Sequence, residues 1–222
     1  MIIRPIGQSG YIINTANTEI IIDPYLSDVV NQVAGRPRIL PVPIKPQDIR
    51  ADAVICTHNH LDHLDVASIP LMREEQFFIT TDDGKKKLAE LNRHKVTTLR
   101  LGEAVEVGDI KISATYANHT VDAFGVLLEA EGKTLYFSGD TLYDEKLFEI
   151  ASHKPDVTFI CINGRLGNMN VEEAIEVAKK IGAKINIPSH YDMFASNSEN
   201  PELFAKQIEG GMVLNFNHAY EF

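Results

Sequence analysis

The chain contains 222 residues, of which 44% are hydrophobic, a length and composition that permit one domain with a full core. Its 31 acidic residues outnumber its 21 basic ones and give a formal net charge of −10, which argues against nucleic acid as a partner. No stretch approaches the roughly 20 apolar residues that cross a bilayer, so we expect no membrane association either.

The amino-terminal residues and the cysteines bear on the compartment. Residues 1–5 run straight into strand-like sequence without the apolar stretch and cleavage site of a secretory signal. The two cysteines, Cys56 and Cys161, each lie inside an apolar run, which favours buried thiols over a disulfide or metal ligands. We therefore expect a cytoplasmic protein.

The first half of the chain is rich in short β-like runs separated by turn residues. These runs predict strands over residues 2–6, 11–14, 19–23 and 53–56. The proline-rich stretch 34–48 is typical of an irregular loop. The acidic start and helix-forming composition of residues 82–92 predict a helix.

The second half begins with β-like runs and then alternates strands with helices. Predicted strands occupy residues 104–107, 110–114, 123–130, 134–137, 157–162, 185–188 and 212–216, and predicted helices occupy 171–181 and 201–208. Meanders interspersed with helices indicate an α/β (α+β) fold. We expect a four-layer αββα sandwich that forms one domain over residues 1–222.

The densest chemical signal is Thr57-His58-Asn59-His60-Leu61-Asp62-His63, directly after the predicted strand 53–56. His58 and His60, two residues apart, can present their imidazoles to one metal ion. Asp62 and His63 can serve a second ion a short distance away. A histidine-rich surface loop is the alternative interpretation.

Distant partners for this cluster follow other predicted strands. His119, Asp140 and His190 each lie just beyond the end of a strand, and Asp23 ends the third strand. Functional groups of layered α/β folds gather beyond the carboxyl ends of strands, so we expect these side chains to meet the cluster. Three other histidines lack this framing and are predicted at the surface: His94, His153 and His218.

The order His-x-His-x-Asp-His, a later histidine, a Gly-Asp pair and a final histidine resembles the metallo-β-lactamase superfamily over nearly the whole chain. The resemblance implies the αββα metallo-β-lactamase fold and two divalent metal ions. By matching position, it assigns His58, His60 and His119 to one ion. It assigns Asp62, His63 and His190 to the other, with Asp140 bridging the two ions.

The resemblance also implies supporting groups around the ligands. Asp23 matches the first motif of the superfamily, an acid that supports the ligand loop. Metal-bound imidazoles usually donate their other N–H group to a carboxylate or carbonyl, and Asp192 is a second candidate for that role.

A narrower resemblance lies in the carboxyl-terminal third. Residues 162–165, 167–169 and 188–194, with Asn197, Ser198 and Pro201, look like the L-ascorbate-6-phosphate lactonase branch. This branch implies manganese, whereas the wider superfamily implies zinc. The chain is shorter than members of that branch, so its substrate pocket is expected to differ.

These features predict a hydrolase that uses a metal-activated hydroxide on a lactone or ester of a small anionic, sugar-phosphate-like substrate. We expect Asp62, Asp140 and His190 to be catalytic. An arginine can clamp a carboxylate or phosphate through two hydrogen bonds. Three residues in the region that resembles the lactonase branch are the substrate-binding candidates: Asn163, Arg165 and Asn168.

Two other functions fit the same ligands. One is phosphodiester hydrolysis on the same fold, which the acidic balance of the chain disfavours where the substrate is RNA. The other is a metal-dependent binding or sensing module without catalysis. Redox chemistry at two irons would require a ligand set richer in carboxylates. Homo-oligomers are common among soluble proteins, so we expect one here.

Overall fold

The computed structural model describes residues 1–222, which form two β-sheets packed face to face. Strands are numbered in chain order. The first sheet has the spatial order β13 (Tyr220–Glu221), β1 (Ile2–Gly7), β2 (Gly10–Asn14), β3 (Glu19–Ile22), β4 (Ala53–Ile55), β5 (Phe78–Thr80) and β6 (Val96–Thr98). The second has the order β12 (Ile185–Ser189), β11 (Val157–Cys161), β10 (Lys133–Phe137), β9 (Gly125–Ala130), β8 (Ile110–Thr115) and β7 (Ala104–Val107).

Helices cover the outer faces of both sheets. The α-helices are α1 (Val29–Ala34), α2 (Asp82–Glu90), α3 (Val171–Ile181) and α4 (Pro201–Ala205), and 3₁₀ segments span Pro46–Asp48, Ile69–Leu71 and Glu145–His153. None of these helices combines the length and the apolar character needed to cross a bilayer.

Strand periodicity divides the apolar residues between the layers. In β3, Ile20 and Ile22 join the core between the two sheets, whereas Ile21 joins the core on the outer side of the first sheet, with Leu88 of α2. This division follows from the alternation of side chains along a strand. The second sheet behaves in the same way, since Tyr136 of β10 packs in the outer core that also contains α3. The layers are therefore helix, sheet, sheet and helix, which confirms the predicted fold class.

Helix α3 shows why the outer layer forms where it does. Asn170 accepts a hydrogen bond from the backbone N–H of Glu173, whose side chain accepts one from the backbone of Asn170, a complete capping box. Gly182 ends the helix with a left-handed φ of 74°. One face of the helix is apolar and buried against the second sheet.

Strand direction determines where the loops meet. Strands β3 to β6 are mutually parallel, as are β10, β11 and β12. Strand β8 is antiparallel to β9, which is antiparallel to β10, so β8 and β10 run in the same direction. The loops that follow β3, β4, β5 and β6 therefore lie at one end of the first sheet. Those that follow β8, β10, β11 and β12 lie at one end of the second sheet.

Several predicted elements differ from the structure. Residues 212–216 do not form the predicted last strand, because β1 pairs instead with Tyr220–Glu221. The short elements α1, β5 and β6 were not predicted, since pieces of three to six residues carry little periodicity. The helix predicted over 201–208 ends at Ala205.

The packing between the sheets generates a stability prediction. Phe159 is 1% exposed, and its ring stacks on that of Phe137 with centroids 4.2 Å apart. Replacing Phe159 with alanine should lower the free energy of unfolding by about 3–5 kcal/mol, because it leaves a cavity between the sheets. Ile39→Ala, at a side chain that is 58% exposed, should change it by less than about 0.5 kcal/mol. Urea denaturation measures both, and equal effects would contradict this account of the core.

Candidate metal centre

Five strand ends deliver the predicted ligands to one place. Asp23 follows β3, residues 57–63 follow β4, and His119 lies in the loop after β8. Asp140 follows β10, and His190 follows β12. The seven side chains predicted as ligands form three overlapping groups, in each of which the potential ligand atoms lie within 4.8 Å of one another: His58, His60 and His119; Asp62, His63 and His190; and His58, His63 and Asp140.

The first group consists of His58, His60 and His119. His119 Nδ1 lies 3.0 Å from the carbonyl oxygen of Gly167 and so donates its proton there, which leaves Nε2 as an acceptor. That Nε2 is 3.2 Å from Nδ1 of His60. Gly167 has a left-handed φ of 95°, and a Cβ at this position would lie 2.9 Å from the His119 ring, so the close approach requires glycine.

The second group consists of Asp62, His63 and His190. Asp62 Oδ2 lies 3.7 Å from His63 Nε2 and 3.6 Å from His190 Nε2. All three residues belong to loops that directly follow β4 or β12. The group therefore joins the two sheets at their shared edge.

Asp140 lies between the two groups. Its Oδ1 is 3.3 Å from His63 Nε2, and its Oδ2 is 3.2 Å from His190 Nε2 and 4.0 Å from His119 Nε2. Asn168 donates a hydrogen bond of 2.9 Å to Oδ2 and so orients the carboxylate. Asp140 is the one carboxylate that approaches histidines of both groups.

Asp23 fixes the orientation of the loop after β4. It is fully buried and accepts hydrogen bonds of 2.8 Å from the backbone N–H and the hydroxyl of Thr57 and from His63 Nδ1. Because Thr57 Oγ1 donates to Asp23, it accepts from His58 Nδ1 at 3.1 Å. Both ring tautomers are thereby set, with Nε2 of His58 and of His63 directed at the cluster.

The residues present fit divalent metal ions. Nε2 of His58, Nε2 of His63 and Oδ1 of Asp140 are buried and have no hydrogen-bond partner, an arrangement that is costly unless a cation binds them. Imidazole nitrogens and carboxylate oxygens without thiolates suit zinc, manganese or iron. The set of donor atoms is thus that of a metal site and not of a core hydrogen-bond network.

The electrostatics of the cluster also favour bound cations. Burial lowers the pKa of His58 well below its usual value, so this ring is neutral and can act as a ligand. Burial opposes protonation of His190 as well, but the neighbouring carboxylates of Asp140 and Asp62 outweigh it and raise its pKa to about 9. The same carboxylates, together with Asp23, hold the pKa of His63 well above its usual value against burial. This half of the cluster attracts positive charge.

Gln8 belongs to the site although no sequence signal indicates it. Its Nε2 lies 2.7 Å from Asp62 Oδ2 and 3.1 Å from His190 Nε2. Its backbone carbonyl accepts a hydrogen bond from the backbone N–H of His190. Gln8 has a left-handed φ of 55° in the turn between β1 and β2. A single glutamine within Gly7-Gln8-Ser9-Gly10 is typical of a turn. Its position beside Asp62 and His190 is therefore apparent only from the three-dimensional structure.

Asp192 does not support the ligands as predicted. Its carboxylate accepts from Ser198 Oγ at 3.1 Å, and Ser198 Oγ also accepts from the Asp192 backbone N–H. The residue is exposed and closes its own loop, which satisfies the carboxylate locally. Proximity in sequence to His190 was a misleading signal.

The two asparagines predicted as substrate contacts are hydrogen-bonded to each other. The amide nitrogen of Asn168 donates to Asp140 and also, at 2.9 Å, to Asn163 Oδ1. Asn163 in turn donates to Asn197 Oδ1 at 2.9 Å. This chain of buried amides supports Asp140 and occupies both polar atoms of Asn163. Asn168 also lines the cleft, where its Oδ1 forms no hydrogen bond, so its predicted role in substrate binding stays a prediction.

Arg165 also lies elsewhere than predicted. It is exposed, its Nη1 donates to the carbonyl of Ser196 at 2.8 Å, and it does not line the cleft over the cluster. The arginine that does line this cleft is Arg36, which follows α1 in the proline-rich loop. The arginine that lines the cleft is therefore Arg36 and not the predicted Arg165.

The cleft gives access to the cluster from one side. It has a volume of about 520 Å³, within the range of small-molecule sites, and reaches Asp62, Asp140 and His60. Its apolar lining consists of Val30, Leu61 and Leu166.

Comparison with known proteins identifies the family and the fold. The family model described as a beta-lactamase superfamily domain matches residues 18–191. A metal-dependent hydrolase of Oenococcus oeni is 27% identical, with 97% of each chain covered. The solved structure of Igni18, a metallo hydrolase of Ignicoccus hospitalis, aligns over 100% of this chain and 98% of its own with a TM-score of 0.81 at 20% identity. An isothiocyanate hydrolase from Delia radicum gut bacteria aligns over 100% and 99% with a TM-score of 0.83, also at 20% identity. These structural matches show the fold.

The hydrogen bonds of Asp23 generate a prediction about metal affinity. Asp23→Asn places an amide N–H₂ group where His63 Nδ1 now donates, which disturbs the tautomer that directs Nε2 at the cluster. We expect zinc affinity to fall about 10- to 100-fold, as measured by competition with a chromogenic chelator. Asp192→Asn is the matched control, because its carboxylate contacts no residue of the cluster. If the two variants bind zinc equally well, Asp23 does not orient a ligand.

Proposed function

The chain belongs to the metallo-β-lactamase superfamily, and from that premise we propose that it is a metal-dependent hydrolase acting on a lactone or ester of a small anionic substrate. One observation carries the proposal. Seven candidate ligands from four loops converge in overlapping groups, and the buried Nε2 atoms of His58 and His63 and Oδ1 of Asp140 form no hydrogen bond.

The proposed ligand assignment follows the first and second groups, with Asp140 of the third group between them. His58, His60 and His119 would hold one ion, whereas Asp62, His63 and His190 would hold the other. Asp140, which approaches histidines of both groups, would contact both ions. When bound, zinc or manganese ions lower the pKa of water and polarise the bond that is cleaved.

Asp62 is the residue that we assign to proton transfer. Its side chain is 18% exposed and lines the cleft, whereas that of Asp140 is only 6% exposed. Oδ2 of Asp62 accepts from Gln8, which holds the carboxylate in place. As water attacks the carbonyl carbon, Asp62 accepts its proton. When the carbon–oxygen bond to the leaving group breaks, Asp62 returns that proton to the alkoxide, so the net reaction is addition of water.

Cleft size and charge support a small substrate. A volume of about 520 Å³ accommodates a small molecule, and a net charge of −10 disfavours an extended polyphosphate. The lactonase-like motifs in the carboxyl-terminal third favour a lactone over a phosphodiester. One solved protein of this fold is an isothiocyanate hydrolase, and isothiocyanates are likewise small molecules.

Both cysteines support the proposed compartment. Cys56 and Cys161 are free and buried in separate cores, as expected of a protein that works in the reducing cytoplasm. We include a cytoplasmic location and action as a single domain in the proposal.

Metal content tests the dinuclear assignment. Protein purified with zinc or manganese should contain about two ions per chain by elemental analysis. His119→Ala should retain about one, because only the first group loses a ligand. His94→Ala removes an exposed histidine and should leave the content unchanged. One ion or none in the unaltered protein would contradict two sites.

A substrate panel tests the reaction. Sugar-phosphate lactones, simple esters and bis-p-nitrophenyl phosphate should be compared with zinc and manganese added separately. We expect hydrolysis of the lactones or esters, and Asp62→Asn should lower kcat by about 10²- to 10⁴-fold. Asp122→Asn, at an exposed loop position, should retain full activity. Cleavage of the phosphodiester alone would establish the alternative enzyme class, and no cleavage by the metal-loaded protein would favour a binding module.

A further inference from the structure

Arg36 differs from every other arginine of the chain. The sequence contains eight arginines, and seven of them donate hydrogen bonds from their guanidinium groups to protein oxygens. Arg36 donates none and forms no salt bridge, although acidic residues outnumber basic ones by 31 to 21. Its five N–H donors are therefore available to a ligand.

Arg36 lies in the wall of the cleft over the metal centre. Arg36 is half-buried, and it is the only lysine or arginine that lines the cleft over the metal centre. The nearby Arg38 is no alternative, because its guanidinium donates to four backbone carbonyls and lies over the ring of Tyr25.

The backbone on both sides of Arg36 is held in place. Gly35 ends α1 with a left-handed φ of 65°, and its N–H donates to the carbonyl of Asn31 at 2.9 Å. On the other side, the backbone N–H of Arg38 donates to Asp28 Oδ1 at 3.0 Å. Pro37 lies between them and restricts the chain further. The loop thus presents Arg36 from a fixed base, which lowers the entropic cost of binding.

The cleft contains acidic and apolar side chains beside Arg36. Asp62 and Asp140 also line the cleft, but the metal ions that they would hold offset their charge, so these carboxylates would not exclude an anionic substrate from the guanidinium of Arg36. A guanidinium binds a carboxylate or phosphate through two parallel hydrogen bonds, which fixes orientation as well as affinity. Apolar side chains of the same cleft, Val30 and Leu166, can contact the uncharged body of such a molecule.

We propose that Arg36 is the specificity-determining residue that binds the anionic group, a carboxylate or a phosphate, of the substrate hydrolysed at the metal centre. This inference rests on the proposed function. It assigns the anion-binding role to the loop between α1 and the 3₁₀ segment Pro46–Asp48.

Kinetics with matched esters test the proposal. A neutral aryl ester is compared with the same ester bearing a carboxylate and with one bearing a phosphate, using metal-loaded protein. Arg36→Gln should lower kcat/KM about 10- to 100-fold for the charged esters, mainly through KM, and less than about twofold for the neutral one. Arg36→Lys should show a smaller loss. The carboxylate and phosphate arms show which anion is preferred.

Arg165→Gln is the matched control, since it removes an exposed arginine whose guanidinium lies outside the cleft. It should leave all three kcat/KM values within about twofold of the unaltered protein. Equal losses on neutral and charged esters in Arg36→Gln, or no loss on either, would overturn the assignment.

A binding measurement separates this inference from the proposed function. Inorganic phosphate is titrated calorimetrically into the zinc-loaded protein and its variants, with circular dichroism as the check on folding. The dissociation constant should rise about 10-fold or more in Arg36→Gln and stay unchanged in Arg165→Gln. If no ester is hydrolysed but this difference appears, the anion subsite stands and the hydrolase proposal fails. Equal phosphate affinity in all three proteins overturns the anion subsite whatever the activity.

Discussion

The carboxylate of Asp23 is the constraint on which the metal centre depends. A fully buried carboxylate is costly unless it is hydrogen-bonded, and here Thr57 and His63 together supply three donors. The same three hydrogen bonds fix the turn after β4 and the ring orientations of His63 and, through Thr57, of His58. The hydrogen bonds of one buried carboxylate therefore orient two candidate ligands, His58 of the first group and His63 of the second.

The site is held in backbone conformations that would otherwise be avoided. Gln8, Asp23 and His190 all have left-handed φ values, of 55°, 44° and 61°, although none is glycine. Each costs on the order of 1–3 kcal/mol and persists only where the surroundings impose it. The two sheets impose it, since the backbone of His190 donates to Gln8 and that of Asp23 donates to Ile55. The core between the sheets thus maintains strain at the edge where the ligands meet.

The sequence predicted the features that repeat or cluster and missed those that depend on a single contact. Alternating apolar strands and the dense His58–His63 segment yielded the layers and the ligand loops, because periodicity and ligand spacing are local properties. Gln8 carries no such signal, and its place beside Asp62 arises only when β1 pairs with β2 and docks against His190. Asp192 shows the converse error, since a carboxylate two residues from a ligand formed its hydrogen bond with Ser198.

The loop after β11 and the proline-rich loop have roles that differ from those that their sequences suggest. The loop after β11, which contains Arg165, resembles a substrate loop, yet its backbone carbonyl at Gly167 orients His119 and its Asn168 orients Asp140. Those contacts use the side-chain nitrogen of Asn168, whereas its Oδ1 forms no hydrogen bond and the residue still lines the cleft. The proline-rich loop reads as irregular because its order comes from Arg38, whose hydrogen bonds to carbonyls are invisible in sequence. Once Arg38 is used to hold that loop, its neighbour Arg36 is the guanidinium left free to face the cleft. We therefore assign anion binding to Arg36, because its guanidinium, unlike that of Arg38, forms no hydrogen bond with the backbone.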